Sequence, residues 1–217
     1  MSSALKDYQT LILQPEADWN LFELSLEIGR ILVSQVDFSS HHQLVDEIVG
    51  KVEVRIGSDN DTYSVIEAIN QTLFGEYKFS GNDRDYYEPQ NSLMTSVLER
   101  RKGIPITLSI LYREVAHRVN LKLRCVAMPG HFLLKYRMPQ RQLFIDAYHN
   151  GQILLENECH DLMESVTETR SEIPETLATA SNRVVILRLL MNLKAIYRQQ
   201  GNLALLLEVL ERRIPLM

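Results

Sequence analysis

The stretch NSLMTSVLERRKGIPITLSILYREVAHRVNLKLRCVAMPGHFLLKYRMPQRQLFID, residues 91–146, decides the fold of this chain. It contains an apolar helix that starts at a proline, two short strand candidates, a Pro-Gly turn that carries His131, and a strand that ends at Asp146. Apolar residues cover most of the circumference of the helix, and such a helix is buried inside a domain. We therefore expect the rest of the chain to pack around it.

Local signals mark the ends of these elements. The central helix is predicted to begin at Pro105, where the missing N–H of proline costs no hydrogen bond, and to stop at Asn120, which tolerates a left-handed conformation. The strand candidates after it are 121–128, 132–136, 143–148 and 153–155. Asn150-Gly151 between the last two strands is a strong hairpin signal.

The flanking regions are helical. Periodic apolar residues predict helices over 18–34 (with Asp18 as N-cap), 41–56, 62–74 and 92–101 (capped by Asn91-Ser92). The segment 157–181 shows weak helical patterning, and 184–200 and 202–214 read as a helical hairpin joined at Gly201-Asn202. The predicted fold is α+β: an N-terminal helical bundle, a core with a small antiparallel sheet, and a C-terminal helical hairpin. The predicted division is a domain over 1–181, helical over 1–74 with its core at 75–160, and a hairpin over 182–217.

Composition excludes several classes of protein. A net charge of −5 argues against a nucleic-acid-binding protein. Cys125 and Cys159 are too few for a disulfide framework or a zinc site by spacing, so we expect reduced thiols. The first residues show no signal-peptide pattern, and no apolar run approaches the ~18 residues of a membrane helix. These features predict a soluble, cytoplasmic protein without a membrane partner.

Candidate site residues occur in the loop 75–92 and at a few positions after it. The polar, aromatic-rich loop 75–92 is either packed over a core edge or the wall of a groove. The candidate groove residues are Asn82, Tyr86, Tyr87, Asn91, Ser92, Ser109 and Cys125. His131 itself is either a structural histidine, whose ring satisfies buried polar groups, or a general base or ligand contact. No Gly-rich phosphate loop is present, and spacing gives neither His41-His42 nor His149 with His160 a third metal ligand. We therefore interpret these four as surface histidines and predict no cofactor and no metal.

A helix followed by a histidine-bearing strand and a strand ending in aspartate resembles the transglutaminase/papain-like core. In that core a cysteine at the start of a buried helix is activated by a histidine that an acid orients. The segments NSLMTSVLERRKGIPITLSILYREVA, MPGHFLLKY and FIDAYHNG resemble the SirB-type transglutaminase-like family of bacteria, which also occurs inside some eukaryotic F-box proteins. GNDRDYYEPQNS and the tail LLMNLKAIYRQQGNLALLLEVLERR are similar to the same family, including its tetratricopeptide-like C-terminus. The resemblance covers residues 18–214.

The resemblance implies roles for particular residues. His131 matches the core histidine and Asp146 the orienting acid. The nucleophile should lie about fifteen residues before Asn120, at Pro105 or Ile106, and neither side chain has a nucleophilic atom. Three substitutes remain open: Cys125, if a hairpin about Pro129-Gly130 places it opposite His131; a hydroxyl at Thr107 or Ser109; and a water activated by the His131–Asp146 pair.

Three functions are compatible with this sequence. The first is a non-catalytic or degenerate transglutaminase-like domain that binds a protein or peptide. The second is an amide hydrolase or acyltransferase with an unconventional nucleophile. The third is a regulator that works through its tail, because residues 183–217 carry six Lys/Arg against two Glu. We predict the first, since the position expected for the nucleophile holds only hydrocarbon.

Overall fold

The structure is a computed structural model that describes residues 3–32, 36–58, 61–167 and 177–217. It confirms the predicted α+β class, with helices on both sides of a small sheet. Four helices come first: α1 (Ser3–Ile12), α2 (Leu21–Gly29), α3 (Ser39–Ile56) and α4 (Thr62–Asn70). α4 continues as one π-helical segment, Gln71–Glu76.

Two helix starts differ from the sequence prediction. α2 is capped by Asn20, whose Oδ1 accepts hydrogen bonds from the N–H groups of Phe22 and Glu23, whereas Asp18 lies in a short 3-10 turn. α5 (Met94–Arg100) has no side-chain cap, because Asn91 and Ser92 belong to a preceding 3-10 turn, Pro89–Ser92. α2 also ends earlier than predicted, at Gly29, and residues 33–34 of the predicted helix lie outside the described residues.

The central helix α6 (Pro105–Arg118) is the scaffold of the molecule. Most of its residues are buried, and it packs against α2, α3, α4 and the sheet. Asn120 has a φ of 65°, and the N–H of Leu121 donates to the carbonyl of Ala116 at 2.8 Å, which closes the helix end as predicted. Before α6, strands β1 (Ser80–Gly81) and β2 (Lys102–Gly103) pair in parallel.

The main sheet is an antiparallel meander. Its strands, in spatial order, are β3 (Arg124–Val126), β4 (Leu133–Arg137), β5 (Gln142–Asp146) and β6 (Gln152–Leu154). Asn150 and Gly151 have φ values of 57° and 75°, so the predicted Asn-Gly turn joins β5 to β6 in a left-handed conformation. α7 (Glu156–Thr167) follows and is more regular than predicted, while 168–176 lie outside the described residues.

The C-terminal hairpin consists of α8 (Asn182–Gln199) and α9 (Leu203–Arg213), with Gly201 at a φ of 67° between them. Leu189, Leu190 and Leu193 of α8 are fully buried, and the hydroxyl of Tyr8 donates to the carbonyl of Arg212. The hairpin therefore packs onto the N-terminal helices and α6. Among the described helices, none combines the length and the apolar character needed to cross a membrane.

Replacing Gly151 with alanine should destabilise the fold. A Cβ at this position would lie 1.8 Å from Oδ1 of Asn70, and the backbone is left-handed. The amide of Asn70 also donates to the carbonyl of Gly151. We expect Gly151→Ala to lower the free energy of unfolding by about 3 kcal/mol, measured by urea denaturation.

Two glycines provide the controls. Gly201 has a φ of 67° and open space around it, so Gly201→Ala should lose only about 1 kcal/mol of stability. Gly50 lies in α3, and a Cβ added there would meet no atom from outside its own helix within 4 Å, so Gly50→Ala should gain up to about 1 kcal/mol of stability. Equal stabilities for the Gly201 and Gly151 variants would contradict the close contact with Asn70.

Candidate functional site

His131 and Asp146 meet at one end of the sheet. Leu134 of β4 pairs with Ile145 of β5 in antiparallel register, so the start of β4 lies beside the end of β5. His131 precedes β4, and Asp146 is the last residue of β5. Nε2 of His131 lies 2.8 Å from Oδ2 of Asp146, and both residues are buried. The structure thus brings together the two residues that the resemblance pairs.

The carboxylate of Asp146 contacts four nitrogen atoms. Oδ1 accepts hydrogen bonds from the backbone N–H groups of Tyr148 (3.0 Å) and His149 (3.2 Å). Oδ2 contacts Nδ1 of His149 at 2.8 Å as well as the ring of His131. Burial by itself would raise the pKa of this carboxyl, but the hydrogen bonds and charges of His131 and His149 outweigh it and lower the pKa below its usual value. Asp146 is therefore an ionised acceptor in the folded protein.

His149 is a member of this cluster that the sequence analysis treated as a surface residue. Its side chain is 53% exposed, yet one ring nitrogen reaches the buried carboxylate. One local signal was available: an aspartate followed by a tight turn accepts hydrogen bonds from N–H groups two and three residues later. The ligand atoms of His131, Asp146 and His149 lie within 4.8 Å of one another, so these residues are the candidates for a metal within the described parts of the chain.

The start of α6 closes over His131. Pro105 and Ile106 line a cavity of about 20 Å³ together with His131. Its other lining residues are Tyr86, Gly130, Phe132, Arg188 and Asn192. This volume is close to that of a single water. The position at which the resemblance expects a thiol therefore presents carbon atoms to the same cavity as the histidine.

The hydroxyl substitutes proposed from the sequence are buried. Oγ1 of Thr107 accepts from the N–H of Ile104 at 3.1 Å and lies 2.9 Å from the carbonyl of Asn91, to which it donates. Its role is to fix the helix start to the preceding loop. Ser109 is fully buried, and within the described residues its Oγ has no hydrogen-bond partner.

Cys125 does not lie opposite His131. Its strand partner is Leu134, and His131 falls in the loop between the two strands, so the hypothesised pairing across the hairpin does not occur. Cys125 is buried, and burial raises the pKa of its thiol to about 11. Burial likewise raises the pKa of Cys159 to about 12. Both cysteines are free thiols, and these pKa values keep them protonated at neutral pH.

The loop 75–92 combines a packed interior with an exposed aromatic edge, so both readings of it apply in part. Asn91 is fully buried, and its amide donates to the carbonyls of Asp85 and Tyr86 while its oxygen accepts from Asn82. Ser92 is buried as well. Asn91, Ser92 and Ser109 are thus interior residues rather than walls of an open groove, whereas Tyr87 is 69% exposed. Cys125 is buried too, and it lines a different pocket, away from His131.

A row of aromatic rings leads from this loop to the His131–Asp146 pair. The centroids of Tyr87 and Tyr86 are 5.3 Å apart, and Tyr86 lies 6.4 Å from Tyr148. Tyr148 in turn contacts His131 (6.1 Å) and His149 (5.4 Å). We call these five residues the aromatic row. It is a continuous ring surface that starts at an exposed tyrosine and ends at the buried carboxylate.

Tyr148 is fixed in this row from two sides. Its hydroxyl donates to Oδ1 of Asp83 at 2.7 Å. Its ring covers Gly81, where a Cβ would come within 2.5 Å of the ring. Burial, followed by the hydrogen bond to Asp83, raises the pKa of Tyr148. The ring of Tyr148 can therefore approach β1 this closely only because residue 81 is a glycine.

Comparison with known proteins places these features in a family context. The sequence profile described as "Transglutaminase-like superfamily" matches residues 39–191. A UPF0162 protein of Xylella fastidiosa (strain 9a5c) is 30% identical over 184 residues, which are 82% of this chain and 64% of that protein. The UPF0162 protein of Pseudomonas aeruginosa is 29% identical over 184 residues, 82% of this chain and 66% of its own length.

A third relative is of a different kind. F-box only protein 21 of Mus musculus is 39% identical over 107 residues, which are 46% of this chain and 17% of that protein. The chain matches no solved structure. It spans 64% of the length of the Xylella protein, so the relatives contain sequence without a counterpart in this alignment.

Replacing Asp146 with asparagine should destabilise the fold. The substitution removes the negative charge and, where the amide NH₂ replaces Oδ2, sets a hydrogen-bond donor against the ring nitrogens of His131 and His149. We expect a loss of about 2–3 kcal/mol in the free energy of unfolding at neutral pH. The folded-state pKa lies below the usual 3.8, so this stabilisation is complete above that value and is lost as the pH falls further. The difference in the free energy of unfolding between the parent and Asp146→Asn, measured by urea denaturation, should therefore become smaller in acid.

His149→Ala is the control for this experiment. This substitution removes only the half-exposed partner of Asp146 and should lower the free energy of unfolding by about 1 kcal/mol or less. An Asp146→Asn protein as stable as the parent at neutral pH would show that the carboxylate does not stabilise the fold.

Proposed function

This chain belongs to the transglutaminase-like superfamily, and we propose that it is a degenerate member that binds a protein or peptide instead of forming an acyl-enzyme. Within the superfamily we assign it to the SirB-type branch. We further propose that residues 1–181 form the transglutaminase-like domain and that 182–217 form a tetratricopeptide-like hairpin packed on it. The two free thiols are consistent with a reducing compartment such as the cytoplasm.

One observation carries the proposal: Pro105 and Ile106 share a cavity with His131. Acyl transfer by covalent catalysis needs an atom with a reactive lone pair beside the base. Proline and isoleucine side chains have none, and no shift of a pKa creates one. The His131–Asp146 pair can still donate or accept a hydrogen bond, which is a binding function.

The aromatic row supplies a surface for such binding. Tyrosine and arginine are enriched among the residues that dominate binding energy, because they combine a large apolar area with a polar end. Tyr87 is exposed at the start of the row, and Arg188 lies beside Tyr86 in the lining of the cavity. A peptide lying along the row would contact rings over its length and reach hydrogen-bonding groups near His149.

The relative from Mus musculus supports a modular role. The region shared with F-box only protein 21 is only 17% of that protein, so a related segment stands inside a chain that is mostly different. A segment that recurs in otherwise unrelated surroundings is suited to a binding or regulatory task that does not depend on the rest of the chain. We extend this inference to the present protein.

A second candidate is an amide hydrolase or acyltransferase that uses the His131–Asp146 pair with a different nucleophile, such as an activated water. The observation in its favour is that Nδ1 of His131 makes no hydrogen bond within the described residues. A general base needs such an unoccupied nitrogen. The two candidates differ in whether any acyl transfer depends on His131.

The substitution Ile106→Cys tests whether His131 faces the position of the missing nucleophile. A thiol at the start of a helix and near an imidazole has a lowered pKa. We expect this cysteine to be alkylated by iodoacetamide at neutral pH, and His131→Ala in the same protein to slow the reaction. Cys125 and Cys159 should remain unmodified while the protein is folded. Intact-mass spectrometry measures the extent of labelling.

Leu108→Cys is the matched control, because Leu108 and Ile106 are both 2% exposed in the same helix. Equal labelling of the two variants would refute the facing arrangement. The parent protein should form no acyl adduct with p-nitrophenyl acetate and show no turnover above solvent. Turnover that disappears in His131→Ala would support the hydrolase instead.

The binding proposal predicts a role for Tyr87. Peptides selected against the full chain from a random displayed library should bind Tyr87→Ala at least about tenfold more weakly, the loss typical of an aromatic hot spot. Tyr63→Ala is the control, since Tyr63 is another partly exposed tyrosine, which contacts Arg141 and lies outside the row. Fluorescence anisotropy gives the dissociation constants. Failure to enrich any peptide, or unchanged affinity for Tyr87→Ala, would count against this surface.

A further inference from the structure

We propose that His131, Asp146 and His149 form a binding site for one divalent transition-metal cation such as Zn²⁺. The ligand atoms are Nε2 of His131, Oδ2 of Asp146 and Nδ1 of His149, all within 4.8 Å of one another. Two imidazoles and a carboxylate form a ligand set that suits zinc and its neighbours in the first transition row. The proposal does not depend on peptide binding by the aromatic row.

The distance from the carboxylate oxygen to each histidine nitrogen is close to the spacing that a cation needs. Both histidine nitrogens lie 2.8 Å from the same carboxylate oxygen. Bonds of about 2.1 Å to two ligands at this spacing enclose an angle of about 85° at the metal, close to the angle of about 90° between neighbouring ligands of an octahedral site. Tetrahedral coordination needs ligands about 3.4 Å apart, which a shift of about 0.6 Å at each contact provides. His149 is half exposed and can make its part of this movement.

The carboxylate is already oriented for this role. Two backbone N–H groups hold Oδ1 of Asp146, which leaves Oδ2 directed at the two rings. The N–H of Gly151 donates to the backbone carbonyl of Asp146 at 2.8 Å and fixes the turn that carries His149. Hydrogen bonds to the atoms behind a ligand orient it and strengthen metal binding. Two of the three ligands are therefore buried in fixed positions, and the third provides access from solvent.

Proton positions change when the cation binds, but the number of protons need not. When both rings of the empty site are neutral, each donates an N–H to Oδ2 of Asp146. Metal coordination needs the lone pair of that same nitrogen, so each ring proton moves to the other ring nitrogen through exchange with water. Nδ1 of His131 makes no hydrogen bond within the described residues, and the His149 ring is half exposed, so both rings have a nitrogen that can take the proton.

The test is a titration of the full chain, freed of metal with a chelator, with zinc chloride in a calorimeter. We expect one equivalent to bind and to raise the melting temperature. Cobalt(II) chloride, followed by its visible absorption, should bind in the same proportion and be displaced by zinc. His149→Ala should weaken zinc binding by at least about tenfold, with circular dichroism to establish that the variant is folded.

His117→Ala is the matched control, because His117 is an exposed histidine in α6 outside the cluster. It should bind zinc like the parent, as should Tyr87→Ala, whose defect concerns peptides alone. Asp146→Asn gives a second measurement and should also weaken binding. A parent protein that takes up no zinc, or equal affinities for His149→Ala and His117→Ala, would overturn the proposal. Equal affinities of these two variants would place the cation elsewhere, for example at His41-His42.

Discussion

The structure around the site depends on one buried carboxylate that contacts four nitrogen atoms. Asp146 ends β5 and contacts two backbone N–H groups of the following turn and one ring nitrogen from each of His131 and His149. A buried, ionised carboxylate is stable only when such donors replace its lost water. The same contacts fix the loop before β4, the turn after β5 and the orientation of both rings. Removing the charge would therefore disturb two segments, the loop that carries His131 and the turn that follows Asp146.

This dependence offers a physical reason why the His–Asp pair persists beside a helix start that has no nucleophile. Pro105 and Ile106 at the start of α6 fill the space in front of His131 with hydrocarbon, and the remaining cavity has room for about one water. We expect the pair to stabilise the fold even without acyl transfer. A structural role of this kind is compatible with both proposals made above, because neither requires a covalent intermediate.

Much of the fold was predictable because its signals are local. The 3.6-residue pattern of α6, its proline start, the left-handed stop at Asn120 and the Asn150-Gly151 turn each depend on a few neighbouring residues. The site was predictable only in part. The contact between His131 and Asp146 was inferred through the resemblance, whereas His149 was assigned to the surface. Asn91 was expected to cap a helix and line a groove, but its amide is buried and bonds to the carbonyls of the loop before it.

The sequence by itself determined where helices and strands form, which helix is buried, and that hydrocarbon stands at the position expected for a nucleophile. Only the tertiary structure decided which side chains meet. Strand register is the physical reason: Cys125 pairs with Leu134, so His131 falls in the loop between their strands and lies beside the end of β5 instead. A shift of one residue in that pairing would turn every side chain of the strand to the opposite face. Composition and periodicity do not fix such a register.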